Sequence, residues 1–221
     1  MNYKCLVLDH DDTVVDSTRT IHYPAFSQFM NRARPNECPT IEKYLLDNFQ
    51  GLDYFFDDVM HFTPEERDGQ YRVWLRYTDT HVPPVFAGMR SRMERFLAAG
   101  GHICVVSHSM RRYIERDYRE NNLPAPELIF GWDEPEAMRK PAPGPLLAIM
   151  ERLNLRACDL LMVDDLKPGK DMADACGVDF AAVGWGTYVP EIEAFMRRES
   201  RLYCKTVADL EALVFGTEGK E

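Results

Sequence analysis

The sequence lacks a long hydrophobic run. No stretch of 18 apolar residues occurs in the 221 residues, and the opening MNYKCLVLDH has no apolar segment long enough for a secretory signal. We therefore expect a cytoplasmic protein with no membrane partner. The six cysteines show no C-x-x-C spacing, and several lie in apolar runs where a reduced thiol packs as a small hydrophobe. Disulfides and a zinc site are not expected.

The sequence also lacks an excess of positive charge. Its formal net charge is −10, and its 26 Lys and Arg residues are scattered along the chain. A surface that binds nucleic acid needs clustered basic residues, so the composition argues against a nucleic acid partner. A small anionic substrate remains compatible with this charge when a metal ion assists. The composition fits a monomer and a homodimer equally well.

The chain is long enough, and at 45% hydrophobic residues apolar enough, to form a sizeable core. Short apolar runs recur along it, and most lack the alternation of a half-exposed strand, as expected of parallel strands buried on both faces. The runs are Cys5–Leu8, Ile103–Val106, Leu128–Phe130, Leu160–Val163 and Phe180–Val183. Helical apolar patterns lie between them, for example around Met89 and Leu146. This alternation predicts an α/β fold with a doubly wound, mostly parallel sheet.

One interval breaks the alternation. Residues 17–82 contain amphipathic segments such as IEKYLLDNF and no convincing buried strand, and Pro83-Pro84 restricts the backbone where the interval ends. We therefore predict an all-α insert at 17–82 within a core domain formed by residues 1–16 and 83–221.

Carboxylates follow two of the predicted strands. Asp9 and Asp11 stand at i and i+2 and project to one side of an extended chain, while Asp164 and Asp165 end the run LLMV. An exposed acidic turn is the simpler interpretation of the first pair. However, the carboxyl ends of strands in an open α/β sheet form its ligand site, and two acidic strand ends meeting there suit Mg²⁺.

Two further residues could hold an anion at that edge. Ser107 ends the run ICVVS before a predicted helix, where its hydroxyl could bind a phosphate oxygen or simply cap the helix. Lys140 lies among prolines in RKPAPGP, which could fix its ammonium group in place. A solvated loop lysine is the alternative.

These segments together resemble the haloacid dehalogenase-like hydrolase superfamily, in its phosphatase branch with a helical cap after the first strand. The four motifs of that superfamily stand in order as LVLDHDDT, ICVVSHS, RKPAPGP and LMVDDLKPGKDMADACGV, covering residues 4 to about 186. The separations of 33 residues from Ser107 to Lys140 and 24 from Lys140 to Asp164 also suit the family. The resemblance implies a Rossmann-like core with the insert at 17–82 as the cap domain.

The resemblance also implies roles. Asp9 would attack phosphorus and form an aspartyl-phosphate, and Asp11 would protonate the leaving group, which requires a raised pKa. Mg²⁺ would be held by Asp9, the Asp11 carbonyl, Asp165 and, directly or through a second layer, Asp164. Ser107 and Lys140 would bind phosphoryl oxygens.

The two histidines beside the motifs are less defined. His108 could contact the phosphate or Asp11, and we include it among the phosphate-binding candidates. His10, between the two aspartates, we assign to packing, although it could also touch the cap. The expected function is Mg²⁺-dependent hydrolysis of a small phosphorylated metabolite.

Other activities of the superfamily remain alternatives. A phosphomutase would use the same core residues. A dehalogenase would need neither the metal nor Asp11, and a relative without catalytic activity would only bind phosphate.

Overall fold

The computed structural model describes residues 1–187 and 189–216. Six parallel strands in this part of the chain form one sheet in the order β3-β2-β1-β4-β5-β6. The strands are β1 (Cys5–Leu8), β2 (His102–Val106), β3 (Leu128–Phe130), β4 (Leu160–Asp164), β5 (Asp179–Val183) and β6 (Leu202–Cys204). From β1 the chain builds the sheet outward to β3, and β4 then pairs with the other side of β1. The topological switch point therefore lies between β1 and β4.

The α-helices pack around this sheet or lie in the interval after β1. They are α1 (Tyr23–Ala33), α2 (Ile41–Asn48), α3 (Pro64–Thr80), α4 (Met89–Ala98), α5 (Arg111–Glu120), α6 (Gly144–Leu153), α7 (Lys167–Cys176), α8 (Pro190–Glu199) and α9 (Val207–Phe215). The buried residues of the sheet fall into two hydrophobic clusters that divide alternate strand residues between them, Leu6 and Leu8 in one and Cys5 and Val7 in the other. The predicted doubly wound, mostly parallel α/β fold is confirmed.

The strand at β6 was not predicted. It is three residues long, only Cys204 of the three is buried, and charged Arg201 and Lys205 flank it. The apolar run at this sheet edge is only three residues long and lies between charged residues, so it does not stand out in the sequence. The cysteines all lie in the described residues and are free thiols, and none of the described helices is long and apolar enough to span a membrane.

Residues 18–80, here called the helical segment, contain α1 to α3 and two π-helical stretches, Thr18–His22 and Tyr54–Val59. Helix α2 begins at a Thr40 cap, and α3 begins with a capping box in which Thr63 and Glu66 bond reciprocally. The segment has its own aromatic cluster, which includes Phe26, Phe55 and Phe56. The exact boundaries proposed for a separate domain, 17 and 82, stay a prediction.

The two chain connections between the helical segment and the sheet run side by side. The Phe86 amide donates to the Val14 carbonyl at 3.2 Å, and the Asp16 amide donates to the Pro84 carbonyl at 2.9 Å. These bonds bring both ends of the helical segment to the same point, directly beyond the carboxyl end of β1.

Candidate active site

The polar residues predicted at strand ends meet at one edge of the sheet. Asp9 follows β1, Ser107 follows β2 and Asp164 is the last residue of β4, and these three strands are adjacent in the sheet. All three residues are buried, with at most 3% of their surface exposed. Parallel strands expose their carboxyl ends on one side, so strand order alone collects these groups at the switch point.

Lys140 joins two of the carboxylates. Its ammonium Nζ lies 2.7 Å from Oδ1 of Asp9 and 2.6 Å from Oδ2 of Asp164. Burial lowers the pKa of Lys140, but the two carboxylates outweigh this effect and hold the pKa above its ordinary value. The lysine is therefore a fixed positive charge in the interior, which excludes the solvated-loop alternative.

Asp9, Asp164 and Asp165 form a compact group of buried acids. One carboxylate oxygen from each lies within 4.8 Å of the others. Burial raises the pKa of Asp164 to about 7, because it outweighs the lowering by the Lys140 charge, and the Asp9 charge adds a smaller increase. Burial and the charges of Asp164, Asp12 and Asp9 likewise raise the pKa of Asp165. One ammonium group is too little positive charge for so many carboxylates.

The same group of acids is suited to a hard divalent cation. Within residues 1–187 and 189–216, Oδ1 of Asp165 is buried without a hydrogen-bond partner. This is expected of a carboxylate oxygen that binds a cation. Asp164 is held in place by the Leu166 amide, which donates to its Oδ1 at 2.8 Å. Gly169 on α7 leaves room for this carboxylate, since a Cβ there would lie 2.1 Å from Oδ2 of Asp164.

Asp11 faces the helical segment and contacts a histidine that we did not predict. His22 places Nε2 at 3.2 Å from Oδ1 of Asp11, and the Ser109 hydroxyl donates to Oδ2 at 2.5 Å. The Trp74 indole donates to Nδ1 of His22 at 3.0 Å. Because an indole N–H can only donate, Nδ1 accepts, and His22 directs its Nε2–H at Asp11.

These donors set the acidity of Asp11. Burial raises the pKa of its carboxyl, but the His22 ring, the nearby His10 ring and the Ser109 hydroxyl together more than offset this and hold the pKa well below its usual range. The protonated state that a proton donor needs is therefore not favoured in this arrangement. The expectation of a raised pKa, drawn from neighbouring carboxylates and burial, did not include these two hydrogen bonds.

The residues after β2 hold the adjoining loops. The Ser107 hydroxyl accepts from the Ser109 amide at 3.1 Å, and it lies two residues from the serine that bonds Asp11. This contact is not a helix cap, because the N-cap residue of α5 is Met110, whose side chain makes no cap hydrogen bond. His108 bonds through Nε2 to the Lys140 carbonyl at 2.9 Å. Burial and the Lys140 charge lower the pKa of His108. Both residues thus support the loop that positions Lys140 and Asp11.

His10 and Asp12, the neighbours of these aspartates, point to other partners. His10 is buried against Asp117. Asp12 adopts a left-handed backbone with φ of 53° and accepts from the Thr18 amide at 3.0 Å, and burial raises the pKa of its carboxyl to about 6. Asp171 lies away from the acidic group, on the surface of α7, where it pairs with Lys167.

A family model for haloacid dehalogenase-like hydrolases matches residues 6–183. The chain belongs to this family. The match spans Asp9, Ser107, Lys140 and Asp164, so the resemblance to the haloacid dehalogenase-like hydrolase superfamily that the four motifs indicated is confirmed. No curated protein matches the chain.

Solved structures of similar fold agree with this assignment. A conserved haloacid dehalogenase-like protein of unknown function from Agrobacterium tumefaciens is 16% identical with a TM-score of 0.78, covering 96% of this chain and 98% of that one. A haloacid dehalogenase-like family hydrolase from Streptococcus pneumoniae is 14% identical, with a TM-score of 0.75 and coverages of 97% and 98%. A predicted phosphoglycolate phosphatase from Haemophilus somnus is 14% identical, with a TM-score of 0.76 and coverages of 97% and 99%. At these identities the likeness concerns the fold.

Proposed function

We propose that this hydrolase is a phosphatase that cleaves a small phosphorylated metabolite through an aspartyl-phosphate on Asp9, with Mg²⁺ as cofactor. The observation that carries the proposal is the buried contact of Lys140 with both Asp9 and Asp164 beside an acidic group that lacks sufficient positive charge. Lysine and a divalent cation are what a carboxylate nucleophile needs to approach a dianionic phosphoryl group. The phosphatase name of a structural neighbour points the same way.

In the first step, one Asp9 carboxylate oxygen attacks phosphorus and the bond to the leaving oxygen breaks. Asp9 needs no base, since a carboxylate is ionised at neutral pH. Lys140 and Ser107 are proposed to bind the equatorial phosphoryl oxygens, with His108 holding the Lys140 backbone. Mg²⁺, held by Asp9, the Asp11 carbonyl, Asp164 and Asp165, would neutralise charge on the phosphoryl group.

Asp11 is proposed to transfer the proton in both steps of the reaction. As the ionised carboxylate that His22 and Ser109 favour, it can take a proton from the water that hydrolyses the aspartyl-phosphate. A phosphoryl dianion bound beside it raises the pKa of a carboxyl group. The same residue can then carry the proton that the leaving oxygen accepts in the first step.

The helical segment is proposed to be the cap that closes this site. Trp74 meets Tyr113 of α5 with ring centroids 5.8 Å apart, and Phe49 meets Phe195 of α8 at 5.2 Å. The helical segment therefore touches helices on both sides of the strand ends. Closure of this kind excludes bulk water from the reacting phosphoryl group.

A panel of phosphorylated metabolites and one aryl phosphate, assayed for phosphate release with Mg²⁺ and with a chelator, tests the proposal. We expect Mg²⁺-dependent release that Asp9→Asn lowers by at least about 10³-fold, while the surface variant Asp171→Asn retains full activity. Release that survives in Asp9→Asn would contradict the assigned nucleophile. Isomerisation of a sugar phosphate without net release would identify a mutase instead.

A further inference from the structure

Helix α5 binds the end of α3 and the connection that follows it at three points. The Tyr113 hydroxyl donates to Oδ1 of Asp79 at 2.7 Å. Asn121, directly after the helix, donates to the Pro83 carbonyl at 3.1 Å, and the Arg116 guanidinium donates to the Thr78 carbonyl. These contacts fasten the C-terminal connection of the helical segment, residues 78–83, to one face of α5.

The same face of α5 also binds the loop that carries the nucleophile. Asp117 places Oδ2 at 3.0 Å from Nε2 of His10, and both side chains are almost completely buried. Since a carboxylate only accepts, Nε2–H of His10 donates to it. The His10 ring also lies against Tyr118, with ring centroids 5.9 Å apart. His10 stands between Asp9 and Asp11, so its anchor fixes the backbone from which both project.

Asp117 connects these two regions. Its Oδ1 accepts from Nε of Arg116 at 2.9 Å and lies 2.7 Å from Nη2 of the same guanidinium, while its Oδ2 accepts from His10. The polar chain from the Thr78 carbonyl through Arg116 and Asp117 to His10 is therefore continuous. It runs beside a cleft that Asp11, Thr78 and Arg116 help to line.

Packing alone does not account for this chain. A buried aspartate and histidine carry a desolvation cost that an apolar pair of similar volume would avoid. Among the described residues, Nδ1 of His10 is buried without a hydrogen-bond partner, so position 10 gains one hydrogen bond and leaves one polar atom unsatisfied. An apolar side chain would fill the same space without either effect.

We propose that His10 is a positioning residue, and that the chain Thr78–Arg116–Asp117–His10 couples the placement of the helical segment to that of the Asp9–Asp11 loop. Any shift of the connection at 78–83 moves the carbonyl that Arg116 holds. Arg116 shares Asp117 with His10, and the loop responds through that shared carboxylate. Coupling of this kind is reciprocal, so a change at either end must be felt at the other.

Amide hydrogen exchange of the whole protein tests this coupling without any substrate. Arg116→Met is expected to raise exchange in residues 9–14, and His10→Leu is expected to raise exchange in residues 78–83, each by about 2- to 30-fold. Arg119→Met is the matched control on the same helix, because Arg119 is exposed and pairs with the adjacent Glu120. If Arg116→Met or His10→Leu fails to fold, Asp117→Asn replaces it, because asparagine has nearly the shape of aspartate. This variant is expected to raise exchange both in residues 9–14 and in residues 78–83.

The proposal is overturned if each variant changes exchange only around its own position, or if Arg119→Met produces the same pattern.

A second measurement rests on the proposed function. With an aryl phosphate, Arg116→Met and His10→Leu should each lower kcat by about 2- to 30-fold at nearly constant KM. The kcat of the double variant should be no lower than that of the less active single variant. Multiplying effects would contradict coupling. Wild-type protein without phosphatase activity would refute the proposed function and leave the exchange result to decide.

Discussion

The carboxylates of the helical segment and those at the sheet edge lie in opposite electrostatic environments. In the helical segment, Glu66 accepts hydrogen bonds of 2.7 and 2.6 Å from Arg34, and these bonds, with the Thr63 amide, lower the pKa of Glu66 to about 2. At the sheet edge, burial raises the pKa of Asp164 to about 7, although Lys140 lies 2.6 Å away. The first region stabilises its charges, whereas the second holds charges that it does not fully neutralise.

This difference separates a structural role from a functional one. A buried carboxylate without enough positive charge costs free energy that the rest of the fold must supply. Such a group is expected where a ligand completes the charge balance, which fits a cation and a phosphoryl group at the sheet edge. The paired carboxylates of the helical segment need no ligand. Variants that remove or add charge in each region can test this contrast.

Lys140→Met should have the largest effect, because Lys140 is the cation that lies between Asp9 and Asp164. Removing one partner of a buried ion pair leaves an uncompensated charge, so the free energy of unfolding should fall by about 3 kcal/mol, and phosphatase activity should be lost. Urea denaturation without divalent cations measures the change. The surface variant Lys167→Met should stay within about 0.5 kcal/mol of wild type.

A second substitution sharpens this prediction. In the Lys140→Met background, Asp9 and Asp164 have lost their lysine partner. Asp164→Asn removes one of these two unpaired carboxylates and should recover part of the lost stability. Equal stability of wild type and Lys140→Met would mean that the acids at the sheet edge do not depend on the lysine charge, and the contrast between the two regions would not hold.

Gly169→Ala should weaken the proposed cation site without touching an acid. The added Cβ would lie 2.1 Å from Oδ2 of Asp164 and displace that carboxylate. Changes of this kind around a metal ligand lower affinity by about 10- to 100-fold, which titration calorimetry with Mg²⁺ or Mn²⁺ can measure. Gly69→Ala is the control, since its Cβ would meet only the Phe29 ring, at 3.1 Å. Unchanged affinity in Gly169→Ala would exclude Asp164 from the site.

The sequence was sufficient to predict the residues at the sheet edge. Asp9, Ser107 and Asp164 each end a short apolar run, and parallel strands place such ends together whatever the side chains do. The position of Lys140 required the family resemblance, because a lysine in a loop has no periodic signal. The strand at β6 was missed because its apolar run is short, lies between charged residues, and buries only Cys204 completely.

The contacts made by the helical segment could not be predicted. His22 and Trp74 are 52 residues apart, and they bond to each other beside Asp11 only because the helical segment folds back on the strand ends. Nothing in the local sequence indicates that the His22 side chain contacts Asp11, since His22 lies in a π-helical stretch beside the buried Ile21. The low pKa of Asp11 follows from that contact and was therefore beyond sequence-based reasoning.

His22→Leu tests whether this contact serves proton transfer. Without the His22 N–H, Asp11 loses one of the two side-chain donors that orient its carboxyl group. Its pKa rises, but the carboxyl group no longer has a fixed position toward the leaving oxygen. Cleavage of an alkyl phosphate, which needs leaving-group protonation, should therefore slow by about tenfold. An aryl phosphate with an acidic leaving group should slow by less than about threefold. His22→Gln, whose amide can donate from a similar position, should restore part of the difference. Equal losses on both substrates would reduce His22 to a structural role.

Glu66→Gln should have the smallest effect, confined to stability and dependent on pH. The pKa of Glu66 is about 2 in the folded protein against 4.5 as its ordinary value. The ion pair therefore stabilises the fold fully above pH 4.5, and its contribution is lost as the pH falls through about 2. Because 23% of the Glu66 side chain is exposed, solvent screening limits the contribution to about 1 kcal/mol at pH 7.

Urea denaturation at pH 7 and pH 3.5 measures this dependence. The difference in free energy of unfolding between wild type and Glu66→Gln should be smaller at pH 3.5. At that pH, Glu66 is mostly protonated in the unfolded chain but still ionised in the folded protein, so part of the stabilisation by the ion pair is already lost. Glu65→Gln, at the exposed neighbouring position, should show almost no gap at either pH. If the difference in free energy of unfolding between wild type and Glu66→Gln became larger toward low pH, Glu66 would resemble the carboxylates of the sheet edge, whose folded pKa is raised. That result would contradict the contrast between the two regions.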